Sequence, residues 1–415
     1  MPSSQWSSSL RLLPNSFDFP ILPDVVGDDV EEGVELADLH VFMTGVFASA
    51  VGNIFSHDNA VVPGERVAQM ATTIHRPDVG YAGTYNYFDP DNYIATFALL
   101  STGYAYLHEQ VRLVLERSGA FINSKGQLPH HFVDDKPVFQ ALSGATQTGP
   151  NVFWILSCLN YAKHSGNMTW LQAYMPTLRH ASSFLFDLID PAIGLINAPG
   201  SLYIDVFIRG NFTSDSNAMA VTFFREFAAA EACVGNSSGA AALLALADDI
   251  KDKMNLHLWK GDHYVTQMNL DGTTRDFVDY DANLIAVAAG IPSPAQAQQL
   301  LNRVDGGRCT HGRATFVSEV YYGPHDTTNG NVGDSWCAMA RNGWFDALAR
   351  QQTRDAASFS RLLLSPLADD VRTHTWLHER YYCDGTQQVC VCVCVCACVC
   401  ARACVFLCVC STPSS

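Results

Sequence analysis

The sequence predicts an all-α fold in which helices follow one another in pairs around a ring, an α/α toroid. Two patterns predict it. Helices that are apolar on every side alternate along the chain with helices that carry one charged face. Long polar loops rich in glycine, aromatic residues and carboxylates separate these helices, as expected where the loops at one end of a helical ring form a site.

The middle of the chain shows the apolar type of helix most clearly. Between Ala218 and Val234, only one threonine, one arginine and two glutamates interrupt the apolar residues. Such a helix has no wide solvent face and belongs inside the protein. The loop before it carries Asp205 within a short apolar segment. A buried helix preceded by an acid-bearing loop indicates the floor of an active site.

The other helices are predicted from apolar periodicity and from the residues at their ends. Pro150 stands where a first turn tolerates a missing N–H, Gly119 closes a helix, and Pro176 is expected to open the main part of another. The predicted helices span residues 92–118, 150–164, 170–190, 218–234, 239–259, 281–290, 294–304 and 336–350. A small β-hairpin is predicted around Asp271 and Gly272.

Three regions differ in composition. Residues 1–40 are acidic and loop-like, residues 41–384 form one helical barrel domain, and residues 385–415 contain a nearly strict alternation of Val and Cys. A GT dinucleotide repeat encodes that alternation, so we interpret the last region as a translated repeat or intron. A metal-binding cysteine tract and a membrane span are the alternatives. Because no clear final hairpin follows the barrel pattern, we expect a C-terminally truncated toroid.

Charge and short motifs exclude several classes of function. The chain has 25 Lys and Arg against 41 Asp and Glu, which argues against a nucleic-acid surface or an anionic membrane partner. A neutral substrate fits this balance better. Nucleotide-binding and zinc-finger signatures are absent from the sequence, so neither a cofactor nor a metal is expected. The oligomeric state stays open.

Cysteines and targeting signals bear on the compartment. The five cysteines outside the tail are expected to be reduced core residues. The polar, proline-containing start of the chain has no signal-peptide pattern, so a soluble protein is expected. Three glycosylation sequons would suit a secreted protein, although their number is near chance for this composition; they lie at Asn167, Asn211 and Asn236.

Six segments and one motif follow one another in an order that resembles a known superfamily. The segments are GQLPHHF, TGPNVFW, GNMTWLQAYMPTL, SNAMAV, LALADDIKDKMNLHLWKGDHYV and DYDANLIAVAAGI, and the motif is Tyr203-Ile204-Asp205. Their order resembles the six-hairpin glycosidases, which include α-L-rhamnosidases, glycogen-debranching glucosidases and mannosylglycerate hydrolases. The resemblance spans residues 85–350 and implies an (α/α)6 toroid that hydrolyses a glycoside. Tyr203 stands where relatives often carry Trp.

Glycoside hydrolysis requires two carboxylates, one to protonate the leaving oxygen and one to activate water or attack the anomeric carbon. The resemblance implies inversion, in which the carboxyl groups stand roughly 6.5–9.5 Å apart. Asp205 lies between Ile204 and Val206, where desolvation favours the raised pKa of a general acid. Capping of the next helix or pairing with Arg209 is the alternative role for this residue.

The second carboxylate is expected in the late polar loop. Glu319 is the first candidate for the base, followed by Asp334 and Asp326, and Asp334 is also placed to cap the last helix. Further candidates are polar and flat aromatic side chains that suit sugar hydroxyls and sugar rings. They are Tyr87, Asp89, Asp91, His130, His131, Gln147, Asn151, Trp154, Tyr203, Asn217 and Trp336. The His130–His131 pair lacks a third ligand at metal spacing.

The preferred hypothesis is hydrolysis of a neutral glycoside by inversion, with a carbohydrate as the only expected partner. Two alternatives stay open. A polysaccharide lyase or sugar epimerase on the same fold needs a Tyr or His base beside basic groups, and the scarcity of Lys and Arg in the loops argues against it. A catalytically inactive, carbohydrate-binding toroid is the other alternative.

Overall fold

The computed structural model describes residues 90–133, 136–141, 143–204, 207–306, 318–320, 322, 325–328, 338–355 and 380–381. The acidic N-terminal region and the Val/Cys tail lie outside these residues. The domain boundaries predicted from composition therefore stay predictions.

Nine α-helices follow one another in the described part of the chain. They are α1 Pro90–Ser101, α2 Ala105–Gly119, α3 Gly149–Ser165, α4 Met168–Asp187, α5 Ser214–Cys233, α6 Ser237–His257, α7 Tyr280–Ala288, α8 Pro294–Asp305 and α9 Ala340–Thr353. Each odd-numbered helix packs against the next odd-numbered one, and the even-numbered helices pack outside them. Phe97 of α1 lies 5.3 Å from Trp344 of α9, measured between ring centroids, so the first and last inner helices also meet. The predicted helical toroid is confirmed.

Burial separates the inner helices from the outer ones as the sequence pattern predicts. Every residue from Gly149 to Ala162 of α3 is buried, whereas α6 buries only one side of the helix. An apolar helix without a polar face must be surrounded by other elements, and this places the odd-numbered helices inside. Apolar as they are, none of the described helices has the length and hydropathy that a membrane crossing requires.

The inner helices run in the same direction around the ring. At their starts, the Thr148 hydroxyl just before α3 donates to the Ser216 hydroxyl of α5 at 3.1 Å. Further along, Arg225 in the middle of α5 donates to the carbonyl of Ala289, just past the end of the shorter α7, at 2.8 Å. The ring therefore has a starting end, where the chain enters each inner helix, and a finishing end.

Short antiparallel strands occupy the connections between helices. The pairs are β1 His131–Val133 with β2 Lys136–Val138, β4 Trp259–Lys260 with β5 His263–Tyr264, and β8 Ala338–Met339 with β9 Arg380–Tyr381. A three-stranded sheet has the order β3-β6-β7, from Phe212–Thr213, Gln267–Met268 and Thr274–Arg275. The β6–β7 pair is the predicted hairpin, and Gly272 in its turn has φ 81°, a conformation open to glycine.

The prediction of a single helix over residues 92–118 is wrong, because the chain turns between α1 and α2. The Thr102 hydroxyl donates to the carbonyl of Leu99 at 2.7 Å, which competes with continuation of the helix. Gly103 then takes a left-handed φ of 72°. The region therefore forms a helical hairpin, an inner helix followed by an outer one.

Two further boundaries differ from prediction. Pro176 lies inside α4 rather than at the start of a segment, on the exposed side where water can reach the carbonyl of Gln172 that loses its helical partner. The last helix begins at Ala340 and not at Trp336, since Ala338 and Met339 extend to pair with β9.

An asparagine near the start of three inner helices ties each helix to an earlier loop. Asn151, Asn217 and Asn283 are equally spaced in the sequence and fully buried. Each side-chain oxygen accepts a backbone N–H at 2.7–2.9 Å, and each side-chain nitrogen donates to backbone carbonyls. The N–H donors are Leu128, Ile196 and Tyr264. These links repeat the same connection around the ring.

The sequon asparagines have structural roles. Asn167 and Asn236 cap α4 and α6, since their side-chain oxygens accept N–H groups of the first turn. The side-chain nitrogen of each sequon asparagine also donates a hydrogen bond. Asn167 donates to Tyr161, Asn211 to Asn197 and Asn236 to Glu231. A glycan would replace an N–H of this nitrogen.

Two of the five cysteines outside the tail are described, and both are free thiols. Cys158 is buried in α3, and Cys233 is half-buried at the end of α5. Burial raises the pKa of both thiols, so they carry little thiolate at neutral pH. The remaining three, Cys309, Cys337 and Cys383, lie outside the described residues.

Replacement of Asn217 by Ala is expected to destabilise the protein by about 3 kcal/mol, because it leaves buried backbone groups of Ile196 and Thr213 without partners. Urea unfolding measures the difference. Asn302→Ala is the matched control, since Asn302 is exposed on α8 and a surface change shifts stability by about 0.5 kcal/mol or less. Equal effects in the two variants would contradict the structural role of Asn217.

Candidate active site

Residues 201–209, here called the acid loop, lie at the starting end of the ring and contain the aromatic-x-Asp motif. Asp205 and the residue after it lie outside the described part, whereas both flanks of the loop are described. A β-bridge joins Gly200 to Ile208 across the loop, so its two ends are close together. Three sets of buried contacts hold these flanks.

Asp215, in the first turn of α5, holds the N-terminal flank. One carboxylate oxygen accepts the backbone N–H of Leu202 at 2.7 Å and the Ser201 hydroxyl at 3.1 Å. The other oxygen accepts the N–H of Ser216 at 2.7 Å. The first turn of a helix favours a negative charge, so the position suits an ionised carboxylate.

Tyr203 connects the acid loop to the starts of α7 and α9. Its hydroxyl donates to Asp281 Oδ2 at 2.7 Å and lies 3.4 Å from Asn342 Oδ1. Its ring is buried and stacks on Phe345 with centroids 6.1 Å apart. The aromatic residue of the motif is thus anchored in the ring core, so its buried face offers no open surface for a sugar.

Arg209 holds the C-terminal flank. Its Nη2 lies 2.7 Å from Asp279 Oδ2, and both side chains are 2% exposed. Its Nη1 donates to the Tyr322 hydroxyl at 2.7 Å, and this hydroxyl donates in turn to Asp279. The guanidinium also lies 4.8 Å from the ring centroid of Phe207. Arg209 therefore pairs with Asp279, whereas the expected alternative of a pair with Asp205 falls on a residue outside the described part.

The buried carboxylates beside the acid loop do not all hold a full charge. Burial raises the pKa of Asp281 to about 7, and the negative charges of Asp279 and Asp215 add to the shift. Burial also raises the pKa of Asp279, whereas the charge of Arg209 acts in the opposite direction. Asp281 therefore changes its charge near neutral pH, directly under the Tyr203 anchor.

Glu319, the first candidate for the catalytic base, is engaged by structural contacts. Its carboxylate accepts hydrogen bonds from Arg303 Nη2 at 2.8 Å and from the N–H of Val278 at 2.9 Å. Arg303 lies on the outer helix α8 and also pairs with Asp262 at 2.7 Å. A carboxylate bonded in this way connects α8 to the segment before α7.

The other candidates for the base have different surroundings. Asp326 Oδ1 accepts a hydrogen bond from Arg275 Nη2 at 2.5 Å. Asp334 lies outside the described residues. Its predicted role is therefore neither supported nor opposed by a contact.

The predicted sugar ligands fall into separate groups. Tyr87, Asp89 and Trp336, together with the side chains of Asp91 and His131, lie outside the described part. His130 is buried. Asn151, Trp154 and Asn217 are buried side chains bonded to the backbone, as in the 3.0 Å bond from Trp154 Nε1 to the carbonyl of Leu115. These bonds give the three side chains structural roles, and their predicted sugar contacts stay predictions.

Gln147 is the predicted ligand whose position best suits a binding role. It is 3% exposed, and neither its side-chain oxygen nor its nitrogen has a partner among the described residues. It lies at the base of the acid loop, where a Cβ added to Gly200 would come within 2.8 Å of its Cγ. Buried amides are almost always hydrogen-bonded, so an unpaired one indicates a partner that binds there.

The acids that anchor the loop were missed from the sequence, and Arg209 was considered only as a partner of Asp205. Asp215 and Asp281 each stand two residues before one of the repeated asparagines, Asn217 and Asn283. A search for internal repeats would have found this Asp-x-Asn pattern at the starts of α5 and α7. No comparable local pattern points to Arg209, because its partner lies two helices further along the chain.

Known proteins match this chain in fold and not in sequence. No family model and no curated protein matches the sequence. The GH63 mannosylglycerate hydrolase from Thermus thermophilus, in complex with Tris and D-glycerate, matches with a TM-score of 0.60 and 14% identity over 84% of this chain and 96% of that one. The chain shares the helical toroid fold of that hydrolase. At this identity the likeness concerns the fold alone.

Two other solved structures are also similar to this chain in fold. An uncharacterized conserved protein from Thermus thermophilus gives a TM-score of 0.61 at 14% identity, over 84% of this chain and 95% of that one. The GH78 rhamnosidase of Bacillus sp. GL1 gives a TM-score of 0.57 at 15% identity over 82% of this chain. The chain spans only 31% of the length of that rhamnosidase.

Asp281→Asn is expected to reduce the pH dependence of stability. The pKa of about 7 lies above that of an unfolded aspartate, roughly 3.9, so between these values the folded protein binds more protons than the unfolded one. Stability from this site therefore falls as pH rises from about 4 to about 7. Urea unfolding at about pH 5 and about pH 8 measures this effect. The free energy of unfolding should decrease less between the two pH values in Asp281→Asn than in the wild type.

Asp252→Asn, which changes an exposed carboxylate on α6, is the control for this experiment. Its pH profile should follow that of the wild type. A profile for Asp281→Asn that also follows the wild type would show that Asp281 does not titrate in this range.

Proposed function

We propose that the protein is a glycoside hydrolase that acts on a neutral carbohydrate and uses Asp205 as its general acid. The observation that carries this proposal is the double anchoring of the acid loop. Tyr203, two residues before Asp205, is bonded to Asp281, and Arg209, four residues after it, is bonded to Asp279. A loop held on both sides gives a catalytic side chain a defined position, which acid catalysis requires.

The fold neighbours support the reaction class. Two of them are glycoside hydrolases by name, a mannosylglycerate hydrolase and a rhamnosidase. The anchor contacts also favour a neutral substrate over a uronate, because the guanidinium of Arg209 is already paired with Asp279. A lyase or epimerase would need such a cation free for the acidic sugar, so hydrolysis is the better proposal.

The proposed reaction divides between two carboxyl groups. Asp205 gives its proton to the glycosidic oxygen as the bond from that oxygen to the anomeric carbon breaks. A second carboxylate takes a proton from the water that attacks the opposite face of the sugar, which inverts the anomeric centre.

Asp334 and Glu319 remain the proposed candidates for the base. The bonds of Glu319 to Arg303 and Val278 orient its carboxylate toward α8, so we favour Asp334 for the reaction. Gln147 is proposed to bind a sugar hydroxyl, since the donors and the acceptor of its amide have no partner among the described residues.

The test compares glycosides that share one sugar and differ in the leaving group, nitrophenyl or methyl. Asp205→Asn should lower kcat/KM for the methyl glycoside by about 10²–10⁴-fold and for the nitrophenyl glycoside far less, because nitrophenolate leaves without a proton. Asp334→Asn should lower both to the same extent. Asp252→Asn, on the exposed face of α6, is the control and should change neither.

Each other outcome assigns the roles differently. Equal loss for both leaving groups in Glu319→Gln, with Asp334→Asn unaffected, would make Glu319 the base. Asp205→Asn with wild-type rates on both glycosides would exclude it as the acid. Sugar binding by the wild type without turnover of any glycoside would favour the inactive carbohydrate-binding toroid.

A further inference from the structure

A cavity of about 410 Å³ lies among the inner helices and extends to the finishing end of the ring. We call it the distal cavity. Its deep wall is formed by Tyr93 of α1, Met219 of α5, Ile285 of α7 and Phe345 of α9. Its outer part reaches Arg354, just past the end of α9. The acid loop lies at the starting end and its Tyr203 stacks on Phe345 of the deep wall, whereas Arg354 marks the mouth of the cavity at the finishing end.

Glu226 of α5 lines the distal cavity as a buried acid. It is 7% exposed, and no residue of the described chain forms a hydrogen bond or an ion pair with its carboxyl group. Burial raises its pKa, and the positive charge of Lys163 acts in the opposite direction. Because it lines the cavity, this carboxyl group can form hydrogen bonds with a ligand that enters there.

Arg354 places a positive charge at the mouth of the distal cavity. The N–H of Asp355 donates to the carbonyl of Arg350 at 2.9 Å and that of Arg354 to the carbonyl of Gln351 at 3.1 Å, the pattern of a Schellman helix end. Arg354 has φ 61° at the position that normally carries glycine. An arginine is strained there, and it places an exposed guanidinium at the cavity mouth.

We propose that the distal cavity binds a neutral polyhydroxy compound of about monosaccharide size. Tyr93 and Phe345 offer flat apolar surfaces to its C–H groups. Thr222, Glu226 and Arg354 offer a hydroxyl, a carboxyl and a guanidinium to its hydroxyls. The volume also falls within the roughly 300–1,000 Å³ of small-molecule sites.

An organic cation is the competing ligand class, since it could pair with Glu226. Two charges oppose it. Arg354 stands at the mouth of the cavity, and the charge of Lys163 already acts on Glu226. A neutral ligand avoids both repulsions and can still use the guanidinium as a donor.

The test uses protein labelled with carbon-13 in the methionine methyl groups. Met219 lines the cavity, whereas Met254 is buried in α6 away from it and serves as an internal control. Glucose, mannose, rhamnose, inositol and glycerol are titrated separately, and tetramethylammonium is the cation probe. At least one neutral compound should shift the Met219 resonance in a saturable way and leave that of Met254 unchanged.

Three variants test the residues of the cavity. Ala288→Leu fills part of it, Glu226→Leu removes the carboxyl group, and each should weaken the binding about tenfold or more. Arg354→Gly should weaken the binding as well without lowering the melting temperature, because glycine adopts the left-handed conformation more readily. Melting curves of all three identify any variant that fails to fold.

Several results would overturn the proposal. They are the absence of a Met219 shift with every neutral compound, a shift that survives unchanged in both Ala288→Leu and Arg354→Gly, and a shift with tetramethylammonium alone. Asp205→Asn separates this site from the proposed active site, since it should leave the Met219 shift unchanged whether or not it lowers hydrolysis. Binding that is lost in Asp205→Asn and kept in Ala288→Leu would place the polyol at the acid loop instead.

Discussion

The buried ion pair between Arg209 and Asp279 is the contact on which the acid loop depends. Both side chains are 2% exposed, so each charge needs the other, and loss of one partner from such a pair typically costs about 3–5 kcal/mol. Asp279 directly precedes α7, which links the position of the loop to the inner ring. Tyr322 bonds to both members of the pair and brings the late polar segment to the same place.

The same constraint explains why polar residues gather at the helix starts. The inner helices are surrounded by other elements along their length, so a polar side chain can be satisfied best where unpaired backbone N–H groups occur. Asp215 and the repeated asparagines stand at these helix starts, and their side-chain oxygens accept backbone N–H groups of the preceding segments. Glu226, in the middle of α5, has no hydrogen-bond partner among the described residues. The distal cavity therefore differs from the acid loop, where the buried carboxylates are hydrogen-bonded.

Sequence reasoning predicted what is encoded locally. The apolar α5, the amphipathic α6 and the hairpin at Gly272 follow from side-chain pattern and from one glycine, and the structure has them all. The motif at Tyr203 drew attention to the loop that buried contacts hold at the starting end of the ring. The partner of Arg209 could not be predicted, because any of several carboxylates in the chain would satisfy a guanidinium and only the folded ring selects Asp279. For the same reason Glu319 was expected to be free, although Arg303 of another element reaches it.

The contact between Phe97 and Trp344 bears on how the chain folds. These residues belong to the first and last described inner helices, so their rings can meet only when the helices between them have assembled or when a very long chain segment closes into a loop. Closing such a loop reduces chain entropy before any contact across it can form, and folds dominated by distant contacts form slowly. Ring closure is therefore expected late in folding, and Trp344 is a natural fluorescent reporter for that step.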